Sequence, residues 1–163
     1  MIHRASSLLL AALALAACSG APDDRTAPVA TPAPGTAAIP ADSVQYFNTI
    51  IGDRVFFAFD SSALDAIAQD TLRRQAEWLI ANPAVTAVIE GHADERGTRD
   101  YNLALGARRA NAVFQFLVGQ GVEPTRLRTV SYGKERPEAL CSNESCWSQN
   151  RRAVTVLAGA PLS

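Results

Sequence analysis

The chain reads as an α+β protein: a two-layer α/β sandwich, one sheet with helices packed on one side, in the order β-α-β-α-β with a closing strand. Three observations predict it. Four short runs rich in β-branched and aromatic residues recur between positions 54 and 157, two longer segments between them carry apolar residues at 3- and 4-residue steps, and proline or glycine stops close those two segments.

The first run, residues 54–59 (Arg-Val-Phe-Phe-Ala-Phe), ends at Asp60 and predicts a largely buried strand. The following helix opens at Ser62-Ala63-Leu64-Asp65, a Ser-x-x-acid spacing that fits a capping box. It sets Leu64, Ile67, Ala68, Leu72, Ala76 and Leu79 on one face. Asn82-Pro83 stops it, because the residue before a proline is pushed out of the helical region. Residues 84–90 form a second strand. A second helix over 100–120 directs Leu103, Ala110, Val113, Phe114 and Leu117 to the core and ends at Gly119-Gln120-Gly121. Residues 126–132 and 152–157 supply the remaining strands.

An export signal precedes this pattern. Residues 1–17 have a basic lead at His3 and Arg4 and then an Ala/Leu run, which is too short for the ~20 apolar residues of a membrane span but matches a signal-peptide core. Leu15-Ala16-Ala17-Cys18 resembles the bacterial lipobox. The resemblance implies cleavage before Cys18 and covalent lipid on its sulfur and new amino group, and two or more acyl chains anchor a protein stably. Ser19, where an aspartate would favour inner-membrane retention, points to the outer membrane, with the folded part facing the periplasm. Residues 18–42 then form a tether. Five of the nine prolines (Pro22, Pro28, Pro32, Pro34 and Pro40) lie there among Ala, Thr and Gly, a composition that predicts disorder with polyproline character and a reach of roughly 75 Å when drawn out. The folded domain is assigned to residues 43–163.

Charge and motif content exclude several functions. The net charge is −1 and arginine supplies nearly all of the 15 basic residues, so the basic surplus expected of a nucleic-acid partner is missing. Glu90, His92 and Asp94 alternate like metal ligands, but no second histidine follows and His3 departs with the signal, so no metal or other cofactor is expected. No nucleophile with a partnered histidine and no clear carboxylate pair is present, which argues against an enzyme; a cell-wall hydrolase is the enzymatic rival. In an oxidising compartment Cys141 and Cys146, separated by four residues, predict a loop disulfide.

The informative segment is Gly91-His92-Ala93-Asp94-Glu95-Arg96-Gly97-Thr98, leading through Tyr101-Asn102-Leu103-Ala104-Leu105 to Arg108-Arg109-Ala110. Asp94 leaves the second strand into a loop made tight by Gly97. On a helix of 100° per residue, Arg109 borders the core stripe as a half-buried side chain, while Arg108 points to water. An arginine at such an edge needs an anion. Asp94 is the expected partner, leaving spare guanidinium donors for a second carboxylate.

Together with Phe59-Asp60, Ser131-Tyr132-Gly133-Lys134 and Asn150-Arg151-Arg152-Ala153-Val154, these residues resemble the OmpA-like peptidoglycan-binding family over positions 53–158. The resemblance implies the fold of the OmpA-like C-terminal domain and peptidoglycan as ligand. It implies that Asp94 and Arg109 hold the ammonium and carboxylate ends of diaminopimelate, with Thr98, Asn102 and Leu105 around the pocket. Asp60 and Ser61, just before the first helix, are expected to offer backbone hydrogen bonds. It further implies an outer membrane stapled to the wall, with TolB and other Tol proteins as periplasmic partners; the alternative is a wall-binding lipoprotein outside that system.

Overall fold

The structure, a computed structural model, describes residues 39–159. The expected signal, Cys18 and most of the expected tether lie outside the described residues. The last tether positions do not: Trp78 Nε1 donates to the carbonyl of Ala41 at 2.7 Å, and Ser43 Oγ donates to that of Pro40 at 2.6 Å. Ser43 also caps a short helix α1 (Val44–Tyr46), which continues as a π-helical turn (Phe47–Gly52). No periodicity in the sequence announces this segment. It buries Phe47 and Ile51, with the Phe47 ring 5.0 Å from that of Trp78.

Strands β1 (Arg54–Phe56), β2 (Thr86–His92), β3 (Leu127–Gly133) and β4 (Arg152–Ala158) form one sheet in the order β1-β4-β2-β3. Parallel β2 and β3 are joined through helix α3 (Arg99–Gly119), as a parallel pair requires a crossover. The closing strand β4 lies antiparallel between β1 and β2, with Val154 opposite Arg54 and Val156 opposite Val88. Alternate residues Ala87, Ile89, Leu127 and Ala153 meet Leu72, Ala76 and Leu79 of helix α2 (Ala66–Ala81) and Ala110, Val113 and Leu117 of α3 in one core. The predicted two-layer α/β sandwich is therefore observed. A short helix α4 (Glu144–Asn150), not expected from the sequence, precedes β4.

Two boundaries differ from expectation, each for a local reason. β1 stops at Phe56, although the Phe57 N–H still bonds to the Arg151 carbonyl at 2.9 Å. Beyond it the chain turns inward, with Asp60 at φ 53 in the left-handed region, and the carbonyls of Ala58 and Ser61 leave the sheet to meet Arg109. For the same reason α2 starts late. Ser62 does not cap it; Asp65 does, accepting from the Ala68 N–H at 2.8 Å. With the helix shifted, Ile67 points outward at 79% exposure, while the polar Gln75 is fully buried, bonded to the Gly52 carbonyl and to Thr155.

The face of α3 also turns. Leu103, expected in the core, is 42% exposed and Phe114 only partly buried, whereas Asn102, Leu105, Gly106 and Arg109 are buried. Gly106 explains the rotation: a Cβ on Gly91 of β2 would lie 1.9 Å from the Gly106 carbonyl oxygen, so helix and strand touch backbone to backbone. That contact aims the first turns of α3 at the C-terminal end of β2.

Candidate functional site

At that end of β2 the register with β3 shifts between Gly91 and His92, and the chain enters the 94–98 loop. Gly97 (φ 92) tightens the loop, and Lys134 Nζ pins it by donating to the carbonyls of Gly97 (2.7 Å) and Glu95 (3.2 Å). Thr98 caps α3, its hydroxyl accepting from the Tyr101 N–H. Between this loop, α3 and the turn at Asp60 lies a cavity of about 160 Å³ lined by Phe59, Asp60, Asp94, Arg96, Gly97, Tyr101, Asn102, Leu105 and Arg109. Of the sequence-predicted residues, Asp60, Asp94, Asn102, Leu105 and Arg109 meet in the cavity wall. Ser61 and Thr98 are not among its lining residues.

Arg109 is fully buried, not half-buried, and no ion pair joins it to Asp94 among the described residues. Its Nε donates to the Ser61 carbonyl (2.8 Å), Nη1 to that of His92 (2.8 Å) and Nη2 to that of Ala58 (3.2 Å). Burial lowers its pKa to about 10, so it stays cationic at neutral pH. The expected Asp94–Arg109 bridge fails because other cations reach Asp94 first. Asp94 accepts from Arg96 through side chain (2.6 Å) and backbone N–H (3.1 Å), and from Arg151 at 3.4 Å. Burial pushes the Asp94 carboxyl up, but these bonds outweigh it and hold it below its usual range.

Ser61 also departs from its expected part. Its N–H is engaged with the Ala58 carbonyl at 3.3 Å, and with α2 starting at Ala66 it does not stand at a helix start. Asp60 instead accepts from the Tyr101 hydroxyl. Asn102 Nδ2 donates to the Arg96 carbonyl at 2.8 Å and braces the loop. Phe59, Arg96, Gly97 and Tyr101 also line the cavity and were not among the expected site residues, although all four stand in the family-like motifs. The i, i+2 spacing of Asp94 and Arg96 was the signal for one of them. Arg151 stands in the Asn150-Arg151-Arg152 motif, but no spacing pairs it with Asp94, 57 positions away. Cys141 and Cys146 are joined as a disulfide, Cα to Cα 5.5 Å.

The cavity thus sets carboxylates (Asp60, Asp94) and guanidinium groups (Arg96, Arg109) around an apolar floor at Leu105. It is smaller than the ~300 to 1,000 Å³ of most small-molecule sites, and its wall offers both signs of charge side by side. The OmpA family matches residues 56–152, more than half of the chain. The chain belongs to the OmpA family. It is 61% identical over 126 residues to the peptidoglycan-associated lipoprotein of Mesorhizobium japonicum, covering 77% of this chain and 75% of that protein. The peptidoglycan-associated lipoprotein of Agrobacterium fabrum is 53% identical over 151 residues, covering 93% of this chain and 85% of its own length. The crystal structure of the peptidoglycan-associated lipoprotein from Burkholderia pseudomallei is similar at 41% identity and a TM-score of 0.66, covering 68% of this chain and 96% of that one. The C-terminal domain of Helicobacter pylori MotB, 24% identical with a TM-score of 0.61, shares the fold. The three lipoproteins are named for association with peptidoglycan, not for catalysis.

Proposed function

We propose that this chain is a lipoprotein that grips peptidoglycan non-covalently through the diaminopimelate of the peptide stem, anchored in the outer membrane by lipid on Cys18, and that it links membrane to wall as part of the Tol-Pal system with TolB as a partner. One observation carries the reading of the site: a cavity for one residue whose wall pairs two carboxylates with two guanidinium groups. Diaminopimelate offers an ammonium and a carboxylate on one side-chain end, which such a wall complements. Asp94 has three acceptor contacts in place, against about four lone-pair sites on a carboxylate, so it keeps capacity for an ammonium. Arg109 uses three of its five donors on backbone and retains two.

Retention of the full chain, solubilised in detergent, on purified sacculi tests this. Asp94→Asn keeps the shape and removes the charge, and is expected to weaken binding about tenfold or more. Arg108→Ala, an exposed position beside the Tyr101 ring, is expected to change it less than about twofold. Arg109→Ala is expected to abolish binding, and since it frees three carbonyls its fold must be checked by circular dichroism. A soluble muropeptide bearing diaminopimelate should compete. Equal retention of wild type and folded Asp94→Asn refutes the site.

A further inference from the structure

We infer that Trp147 is a positioning residue for this pocket, and that the Cys141–Cys146 disulfide, by holding the short helix that carries it, makes ligand affinity dependent on redox state. The inference rests on the diaminopimelate reading above and adds a regulatory element to it. Arg96 lies between two rings, its guanidinium carbon 4.1 Å from the centroid of Phe59 and 4.1 Å from that of Trp147. Its Nε is sealed there without a partner, while Nη2 reaches Asp94 at 2.6 Å. The stack therefore fixes the guanidinium plane, and with it the Asp94 carboxylate. Phe59, 60% exposed, is a weakly braced half of that stack. Trp147 is the braced half, because its indole N–H donates to Glu95 Oε1 at 3.0 Å.

Helix α4 delivers Trp147, and it delivers more. Glu144 in its first turn pairs with Arg151, which itself donates to Asp94 at 3.4 Å. Both cations that hold Asp94 are thus set from α4, one through Trp147 and one through Glu144. A seven-residue helix does not persist alone, because nucleation outweighs the few bonds it gains. Here its first turn is tied down: Cys146 is buried, cross-linked to Cys141, and its sulfur accepts from the Cys141 N–H at 3.2 Å. Reduction by an added dithiol takes up two electrons and two protons, opens the loop into two thiols, and releases α4 from that tie.

The test titrates a soluble diaminopimelate-ended muropeptide into the full chain in detergent and follows the Arg96 Nε–Hε resonance, whose shift reports the two rings without any ligand. Mass spectrometry under non-reducing conditions first establishes the cross-link; two free thiols in the exported protein overturn the redox claim. Trp147→Ala and the double variant Cys141→Ser/Cys146→Ser are each expected to lose about three- to tenfold in affinity and to move the Arg96 resonance. Trp147→Tyr, which keeps a ring and a donor, is expected within about twofold of wild type. Dithiothreitol should reproduce the double-serine effect in wild type and add nothing in that variant. An unchanged affinity and an unmoved Arg96 resonance in folded Trp147→Ala, or in reduced wild type, overturn the inference. If wild type fails to bind the muropeptide, the ligand reading falls, and the Arg96 resonance alone decides whether Trp147 and the disulfide position the site.

Discussion

His92 and Arg109 show how much a single buried side chain carries here. Arg109 holds the two sides of the site together, because its donors span the 58–61 turn and the end of β2. His92 lies on the other side of that contact, 2% exposed, with neither ring nitrogen hydrogen-bonded. Burial, then Arg152 of β4, Arg136 of the loop after β3 and Arg54 of β1, push its pKa down to about 4; Tyr132 packs at 5.6 Å and Glu90 Oε2 stands 3.7 Å from Nε2. Between pH 6.5 and 4 the unfolded chain binds a proton at this histidine that the folded chain does not. Its contribution is therefore fully present above pH 6.5 and is lost as pH falls toward 4, about 2 kcal/mol between pH 7.5 and pH 5. Urea denaturation at the two pH values measures it, and His92→Asn is expected to remove most of the difference. Asp94 acts in a lower window: with its folded pKa depressed, its contribution is present above the usual carboxylate range and goes only as pH falls below it. The sequence singled out both Arg109 and His92, but helical periodicity placed the arginine at a core edge, because side-chain direction alone does not tell how many backbone carbonyls converge on a buried guanidinium.

Among the elements, α3 and β2 fix the site. A Cβ on Gly106 would meet Ser131 Oγ at 2.3 Å and the Gly91 carbonyl oxygen at 2.8 Å. Gly106→Ala is therefore expected to raise the intrinsic helix propensity of α3 by about 1 kcal/mol and still destabilise the protein by about 1 to 3 kcal/mol, because the backbone contact cannot open without shifting α3. The urea midpoint reads the sign. A more stable variant would show that the packing tolerates the methyl. The strands and both long helices were legible from β-branched runs and 3- to 4-residue periodicity, with ends displaced by a few residues. The rotation of α3 was not, since Leu103 reads as a core residue in any apolar count, while the glycine that turns it away carries no hydrophobic signal. The capping box failed similarly: Ser62 and Asp65 have the right spacing, but tertiary hold on residues 58–61 keeps Ser62 in a loop.

At the scale of the whole molecule, the proposed function asks a wall-binding domain and a lipid anchor to act from one chain. Among the described residues no helix is long and apolar enough to cross a membrane. The proposed anchor is the lipid on Cys18, outside the described residues, and Cys18→Ala is expected to lose palmitate labelling and either remain an unprocessed precursor or be released from the membrane fraction. Labelling equal to wild type would remove the anchor from the account. Most of the expected tether lies outside the described residues; of its last positions, Ala41 is bonded to Trp78 of the folded domain through its carbonyl.

Sequence alone settled the fold class, the order of strands and long helices, and most of the residues that meet in the cavity, because binary patterning and stop residues act locally and the motif residues are close in the chain. Which partners those residues take was decided only by folding. Asp94 faces Arg96 and Arg151 instead of Arg109, and α4 arrives from the far end of the chain to stack Trp147 on Arg96. The physical reason is that ion pairing and stacking are won by whichever group packing brings nearest, and packing here depends on the close contact of Gly91 with Gly106 and on a disulfide-held helix, neither of which leaves a periodic trace in the sequence.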